Sequence, residues 1–158
     1  PPIRPLEVML GKITPYVLIG LVQVCIILIA TRWLFAVPFV GSLPLLLGVT
    51  LIYITANLVV GITLSTLARS QMQAMQMTVF YFLPSILLSG FMFPFRGMPG
   101  WAQVIGEILP VTHFIRMVRG ILLRGNTLAD LHAELWPLLL FTLLILLLGT
   151  YRFRRTLD

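Results

Sequence analysis

The sequence predicts an all-α protein: a polytopic membrane bundle of four transmembrane helices, a re-entrant or extracellular helical hairpin and a short leading helix. Three observations predict it. Four long apolar runs carry almost no charge, and only 10% of the 158 residues are charged, where a soluble domain has about 25%. Mean hydropathy is +1.02. The runs are also too long and too uniformly apolar for barrel strands, which alternate over about ten residues. Bilayer hydrocarbon satisfies no backbone polar group, so these runs must cross it as helices.

Residues 1–12 (PPIRPLEVMLGK) read as a short amphipathic helix on the membrane surface. Pro5 suits a first helical turn, where its missing N–H costs nothing, and Gly11 is the expected stop. Span one covers 13–35, with Tyr16 and Trp33 as interface anchors and Arg32 snorkelling to headgroups. Span two covers 43–67. A polar turn, ARSQMQAMQ, leads into span three at 74–93, which Pro84 interrupts. Span four covers 135–151, bounded by Trp136 and Tyr151. An even number of spans puts both termini on one side. That side holds six basic residues against five on the other, and the RFRR cluster after span four favours a cytoplasmic C-terminus.

The long connection carries two helical patterns broken at Pro110, within 98–124. In the second, Phe114, Val118, Ile121 and Leu122 share one face at helical spacing, and His113, Arg116 and Arg119 lie on another. Gly125-Asn126 ends it. Each half is too short to cross a membrane, which predicts a hairpin that enters one leaflet and returns.

The net charge of +6 lies beside the apolar runs, which points to anionic lipid headgroups and away from nucleic acid. Cys25 lies mid-span and has no internal partner for a disulfide. The chain opens Pro-Pro-Ile-Arg, with neither an initiator methionine nor a signal-peptide pattern, and reads as part of a longer protein.

Candidate functional residues are few. Asn57, in mid-span, needs a partner: an interhelical hydrogen bond is the default and a substrate contact the sharper reading. Pro84 removes a backbone bond and bends its helix, as a fixed kink or as a hinge. Gln and Met residues at 71–77 suit either a solvated helix start or a flexible lining. His113, Arg116 and Arg119 offer cationic groups to lipid phosphates or an anionic substrate, with Glu107 able to pair with one of them. Catalysis has no support: two histidines and one distant cysteine make no metal set. There is no nucleophile elbow, no paired intramembrane carboxylates and no P-loop, so no cofactor is expected.

The run LSTLARSQMQAMQMTVFYFLPSILLSGFMFPFRGMPGW, followed by LPVTHFIRMVRGILLRG, resembles the C-terminal half of bacterial ABC-2 type permeases, the membrane subunits of ABC exporters. The spacing from Pro110 through His113 to Arg119 is similar to part of that family's signature, and PIRPLEVMLGK is similar to its cytoplasmic coupling segment. Met98-Pro99 looks like the loop of the drug-efflux branch. The resemblance implies a six-span permease of the bacterial inner membrane, of which this chain holds spans three to six. It implies a dimer with a second permease subunit, identical or not, and a separate ABC ATPase that hydrolyses the ATP. By it, Arg4, Pro5, Glu7 and Lys12 couple to the ATPase. Asn57, Pro84, Pro110, His113, Arg116 and Arg119 become pathway, hinge or cap positions. The implied function is export of a bulky hydrophobic or amphipathic, drug-like substrate. A lipid- or polysaccharide-exporting permease and a non-transporting membrane scaffold are the alternatives.

Overall fold

The computed structural model describes residues 4–157, with the side chains at 5, 6 and 152–157 outside the described set. The side chains of the RFRR cluster and of Pro5 therefore lie outside it. The described residues form six α-helices: α1 (Pro5–Leu34), α2 (Leu43–Leu67), α3 (Gln71–Leu87), α4 (Gly100–Ile108), α5 (Pro110–Arg124) and α6 (Leu128–Leu157), with one 3-10 turn at Phe95–Gly97. Three stretches are long and apolar enough to cross a membrane: Glu7–Leu34, Leu43–Leu67 and Leu128–Tyr151.

The separate leading helix is corrected. α1 runs unbroken through Gly11. No turn residue follows that glycine, and the Thr14 hydroxyl bonds the Leu10 carbonyl at 2.7 Å across the expected boundary. What marks the place is Pro15, inside the helix, which has no N–H to offer the Gly11 carbonyl. Within the segment Met9 is fully buried and shares a small core with Ile13 and Val59.

α2 has the bounds the sequence predicts. Its Ser42 hydroxyl accepts from the Leu45 N–H at 3.4 Å, and Pro44 sits in its first turn. α3 departs from prediction at both ends. Ser70 caps it, accepting from the Gln73 N–H at 3.1 Å, while the Gln73 side chain accepts from the Arg69 N–H at 2.5 Å. This near-capping-box pair starts the helix at Gln71 rather than at 74. The helix stops at Leu87 rather than reaching 93, because Gly90 takes φ +89° and leads the chain out of helical geometry. Its 17 residues span about 26 Å, so a fourth crossing is not evident as one long helix.

The two helical patterns broken at Pro110 form α4 and α5. Leu109, held extended at φ −71°, ψ 134° by the following proline, is the single residue between them. Gly125, at φ +66°, ends α5. α6 begins seven residues before the predicted span four, because Asp130 accepts from the Thr127 N–H at 2.9 Å and fixes its first turn.

α2 lies at the centre. Its Leu46, Val49 and Ala56 pack with Met117 and Ile121 of α5 and Leu131 and Leu138 of α6 in the main buried cluster. Phe114, Val118 and Leu122 pack against that cluster, so the predicted apolar face of α5 is the one turned inward. α6 closes on α2 at Gly149, where an added Cβ would meet the Thr63 hydroxyl at 2.6 Å.

Candidate functional site

Two polar constellations stand out in this apolar frame. The first joins the hairpin to α6. Position 113 falls on the buried side of α5, beside Met117 and Thr112, so the His113 ring is driven inward. One ring nitrogen, Nδ1, lies 2.5 Å from Glu134 Oε2 on α6. The other, Nε2, lies 2.7 Å from the Glu107 carbonyl oxygen at the end of α4. Both neighbours are acceptors, so filling both contacts takes two N–H groups, which only the imidazolium has.

Arg116, one turn further along α5, stands between the two carboxylates. Its Nη2 donates to Glu107 Oε1 at 2.8 Å and its Nη1 to Glu107 Oε2 at 3.2 Å, a fork on one carboxylate. Nη1 also reaches Glu134 Oε1 at 3.4 Å. The guanidinium carbon sits 4.6 Å from the centre of the Phe95 ring, close enough for cation–π attraction. The Phe95 turn is itself held by Gln103, whose amide donates to the carbonyls of Phe95 at 3.2 Å and Met98 at 3.0 Å.

Burial alone would pull the His113 imidazolium below its ordinary range. The Glu134 hydrogen bond, the Glu107 carbonyl and the two carboxylate charges together outweigh it, and the net shift is upward. With His113 protonated, the four groups carry two positive and two negative charges.

The second constellation lies between α1, α2 and α3. Asn57 Nδ2 donates to the Tyr53 carbonyl one turn back, at 2.9 Å, and its Oδ1 accepts from the Tyr81 hydroxyl of α3 at 3.1 Å. The interhelical bond expected of Asn57 is therefore present. Around it runs an open groove in two connected parts of about 730 and 810 Å³, both lined by Tyr16, Ile19, Asn57 and Leu58. The larger part reaches Lys12 at its far end, the one charged side chain in either lining. Pro84, with Gln73, Gln76, Met77 and Tyr81, lines a separate hollow of about 570 Å³.

The predicted residues thus divide. His113 and Arg116 come together, with Pro110 buried at the head of their helix. Arg119 is exposed and stands outside the cluster. Arg4 and Glu7 are exposed at the start of α1, where the Arg4 N–H meets Glu7 Oε2 at 3.4 Å. The sequence reading missed Glu134 and Tyr81. Glu134 shares a helix face with the buried Leu131 and Leu138, a spacing that shows only once the helix is begun at Leu128. Among the described residues no group of His, Cys, Asp and Glu has the arrangement to hold a metal ion.

Comparison with known proteins bears on what this frame is. The family model described as ABC-2 type transporter matches residues 1–123. The Escherichia coli probable multidrug ABC transporter permease YbhR is 33% identical over 141 residues, covering 89% of this chain and 38% of YbhR. The inner membrane transport permease YhhJ of the same organism is 33% identical over 159 residues, covering 99% of this chain and 42% of YhhJ. ABC transporter G family member 20 of Dictyostelium discoideum is 26% identical over 141 residues, covering 89% of this chain and 19% of that protein. The chain therefore spans about two fifths of the length of the bacterial relatives. No solved structure matches it. The family match covers α1 to α4 and α5 up to residue 123, including the His113–Arg116 pair, and the chain belongs to the ABC-2 type transporter family.

Proposed function

We propose that this chain is part of the permease of an ATP-driven exporter in the bacterial inner membrane, and that it lines the path of a bulky hydrophobic or amphipathic, drug-like substrate. The observation that carries this reading is the groove around Asn57, which has hydrogen-bonding groups at its centre and a single charge, Lys12, at one end. Such a lining suits an uncharged or weakly polar molecule, since a charge placed at the Asn57 centre of the groove would meet no counter-charge there. The name of YbhR, a probable multidrug permease, agrees with it.

In this reading ATP is hydrolysed by a separate ABC ATPase, and a second permease subunit, identical or not, completes the pathway. Arg4, Pro5, Glu7 and Lys12 form the coupling end of α1. Because α1 is continuous from Pro5 to Leu34, a push at that end travels along one helix into the membrane. Pro15 leaves the Gly11 carbonyl without its helical partner and supplies the point of give. α3 serves as the fourth crossing, with Pro84 as its hinge. Both termini face the cytoplasm, and α4–α5 cap the outer end.

The test uses the full-length permease with its ATPase in lipid vesicles. Arg4→Glu combined with Glu7→Arg leaves the permease folded and abolishes the substrate-stimulated part of ATP hydrolysis. Full stimulation in the double variant would remove the coupling role. Failure of wild-type vesicles to accumulate any fluorescent amphipathic substrate would remove the export reading.

A further inference from the structure

We propose that the contact between His113 and Glu134 is a proton-operated latch that holds the α4–α5 hairpin on α6, closed when the imidazole carries two protons and released when it loses one. The proposal rests on the geometry of the cluster and is independent of what the protein transports.

Among the described residues the hairpin meets α6 through polar groups at one place, the His113–Arg116–Glu134 corner. His113 is 4% exposed, and both of its ring nitrogens face acceptors, Glu134 at 2.5 Å and the Glu107 carbonyl at 2.7 Å. Loss of one proton leaves a lone pair against an oxygen at hydrogen-bond distance, which repels where it had attracted. It also takes the cluster from balanced charge to one net negative charge in a partly buried setting. Opening the hairpin from α6 relieves both. The proton has a way out, because Glu107 and Arg116, on the outer side of the cluster, are 46% and 30% exposed.

The other groups nearby do not substitute for His113. Glu107 on α4, Glu134 on α6 and Arg116 on α5 complete the charges facing it. α2, packed on the opposite side of α5, has no charged side chain and presents Tyr53 to Phe114. On α6, His132 turns to the Ala129 carbonyl and Asp130 to Thr127. Arg96, Arg119 and Arg124 are exposed.

The sign follows from the upward shift of His113. The latch is fully closed below the ordinary histidine value of about 6.5 and opens as pH rises through the higher value that His113 has in the fold. At the acid end it fails only where carboxylates protonate, near pH 4.

The full-length permease in lipid nanodiscs, carrying His132→Gln so that one histidine reports in this region, decides the matter. Nitrogen-15 spectra of the His113 ring and amide hydrogen exchange of residues 100–124, corrected for the intrinsic pH dependence, are followed from pH 5.5 to 9. The expected result is a doubly protonated ring at pH 6.5 that loses one proton at higher pH. Exchange in 100–124 then rises at least tenfold over the same interval. In Glu134→Gln and in His113→Gln that rise is gone. A singly protonated ring at pH 6.5, a flat exchange profile in the wild-type sequence, or the same rise in His113→Gln each overturns the proposal. The two measurements made with His113 and Glu134 intact are decisive even if a variant at either position fails to fold.

Discussion

The rings of Tyr53 and Phe114 stack face to face, with centroids 4.1 Å apart and planes 6° from parallel. This contact joins α2 to the hairpin on the side away from Glu134, so α5 is gripped from two directions. Aromatic pairs contribute about 0.5–1.5 kcal/mol beyond the area they bury. A cycle of Tyr53→Leu, Phe114→Leu and the double variant, read by thermal unfolding in detergent, is expected to give a coupling energy of that size. A coupling near zero means the two rings are merely neighbours.

What the sequence disclosed follows from how local each signal is. α2 was legible to the residue because Ser42, Pro44 and an unbroken apolar run all act within one turn of its ends. The break at Pro110 was legible for the same reason, since proline acts on the residue before it. The continuity of α1 was not: Gly11 reads as a stop, and only the burial of Met9 and Ile13 against Val59 keeps that stretch in line with the span. The end of α3 was hidden because Phe91, Met92 and Phe93 are apolar enough to extend a span, while the turn at Gly90 leads them out of the helix. In the candidate site, His113 and Arg116 could be singled out by their spacing. Glu134 could not, because it lies before the leucine run and gains its meaning from a helix 21 residues away in the chain.

Asn57 and Tyr81 form the hydrogen-bonded link between α2 and α3, and each variant leaves a different orphan. Asn57→Leu strands the Tyr81 hydroxyl, at an expected loss of about 1–3 kcal/mol. Tyr81→Phe leaves only an amide oxygen, whose Asn57 partner group still bonds the Tyr53 carbonyl, and costs less, about 0.5–1.5 kcal/mol. Transport by the full permease in vesicles is expected to fall in the same order. Equal stability losses in denaturant melts would contradict the ranking.

Glycine substitutions separate packed helix faces from open ones. Gly149→Ala drives a methyl against the Thr63 hydroxyl, which is fixed by its own bond to the Val59 carbonyl at 2.8 Å, and against Met9 Cε at 3.0 Å. A loss of about 1–3 kcal/mol is expected. Gly61→Ala meets nothing within 4 Å on the same α2 helix and is expected to gain about 0.5–1 kcal/mol from helix propensity. Melting temperatures of the two variants against wild type check both signs at once.

Arg116 distinguishes geometry from charge. Its fork on Glu107 and its position over the Phe95 ring both need a planar guanidinium. Arg116→Lys keeps the charge between the two carboxylates yet gives up the second hydrogen bond and the face-on contact, for an expected loss of about 1–2 kcal/mol. Arg116→Ala loses more, because Glu107 then loses its forked partner and the two carboxylates share His113 as the one nearby positive charge. Glu107→Gln is expected to be mild, about 0–1 kcal/mol, since that side chain is half exposed and its backbone carbonyl still accepts from His113. Thermal melts at pH 6 rank the three as Ala, Lys, then the glutamine variant. A lysine variant as stable as wild type would show that charge alone holds this corner of the fold.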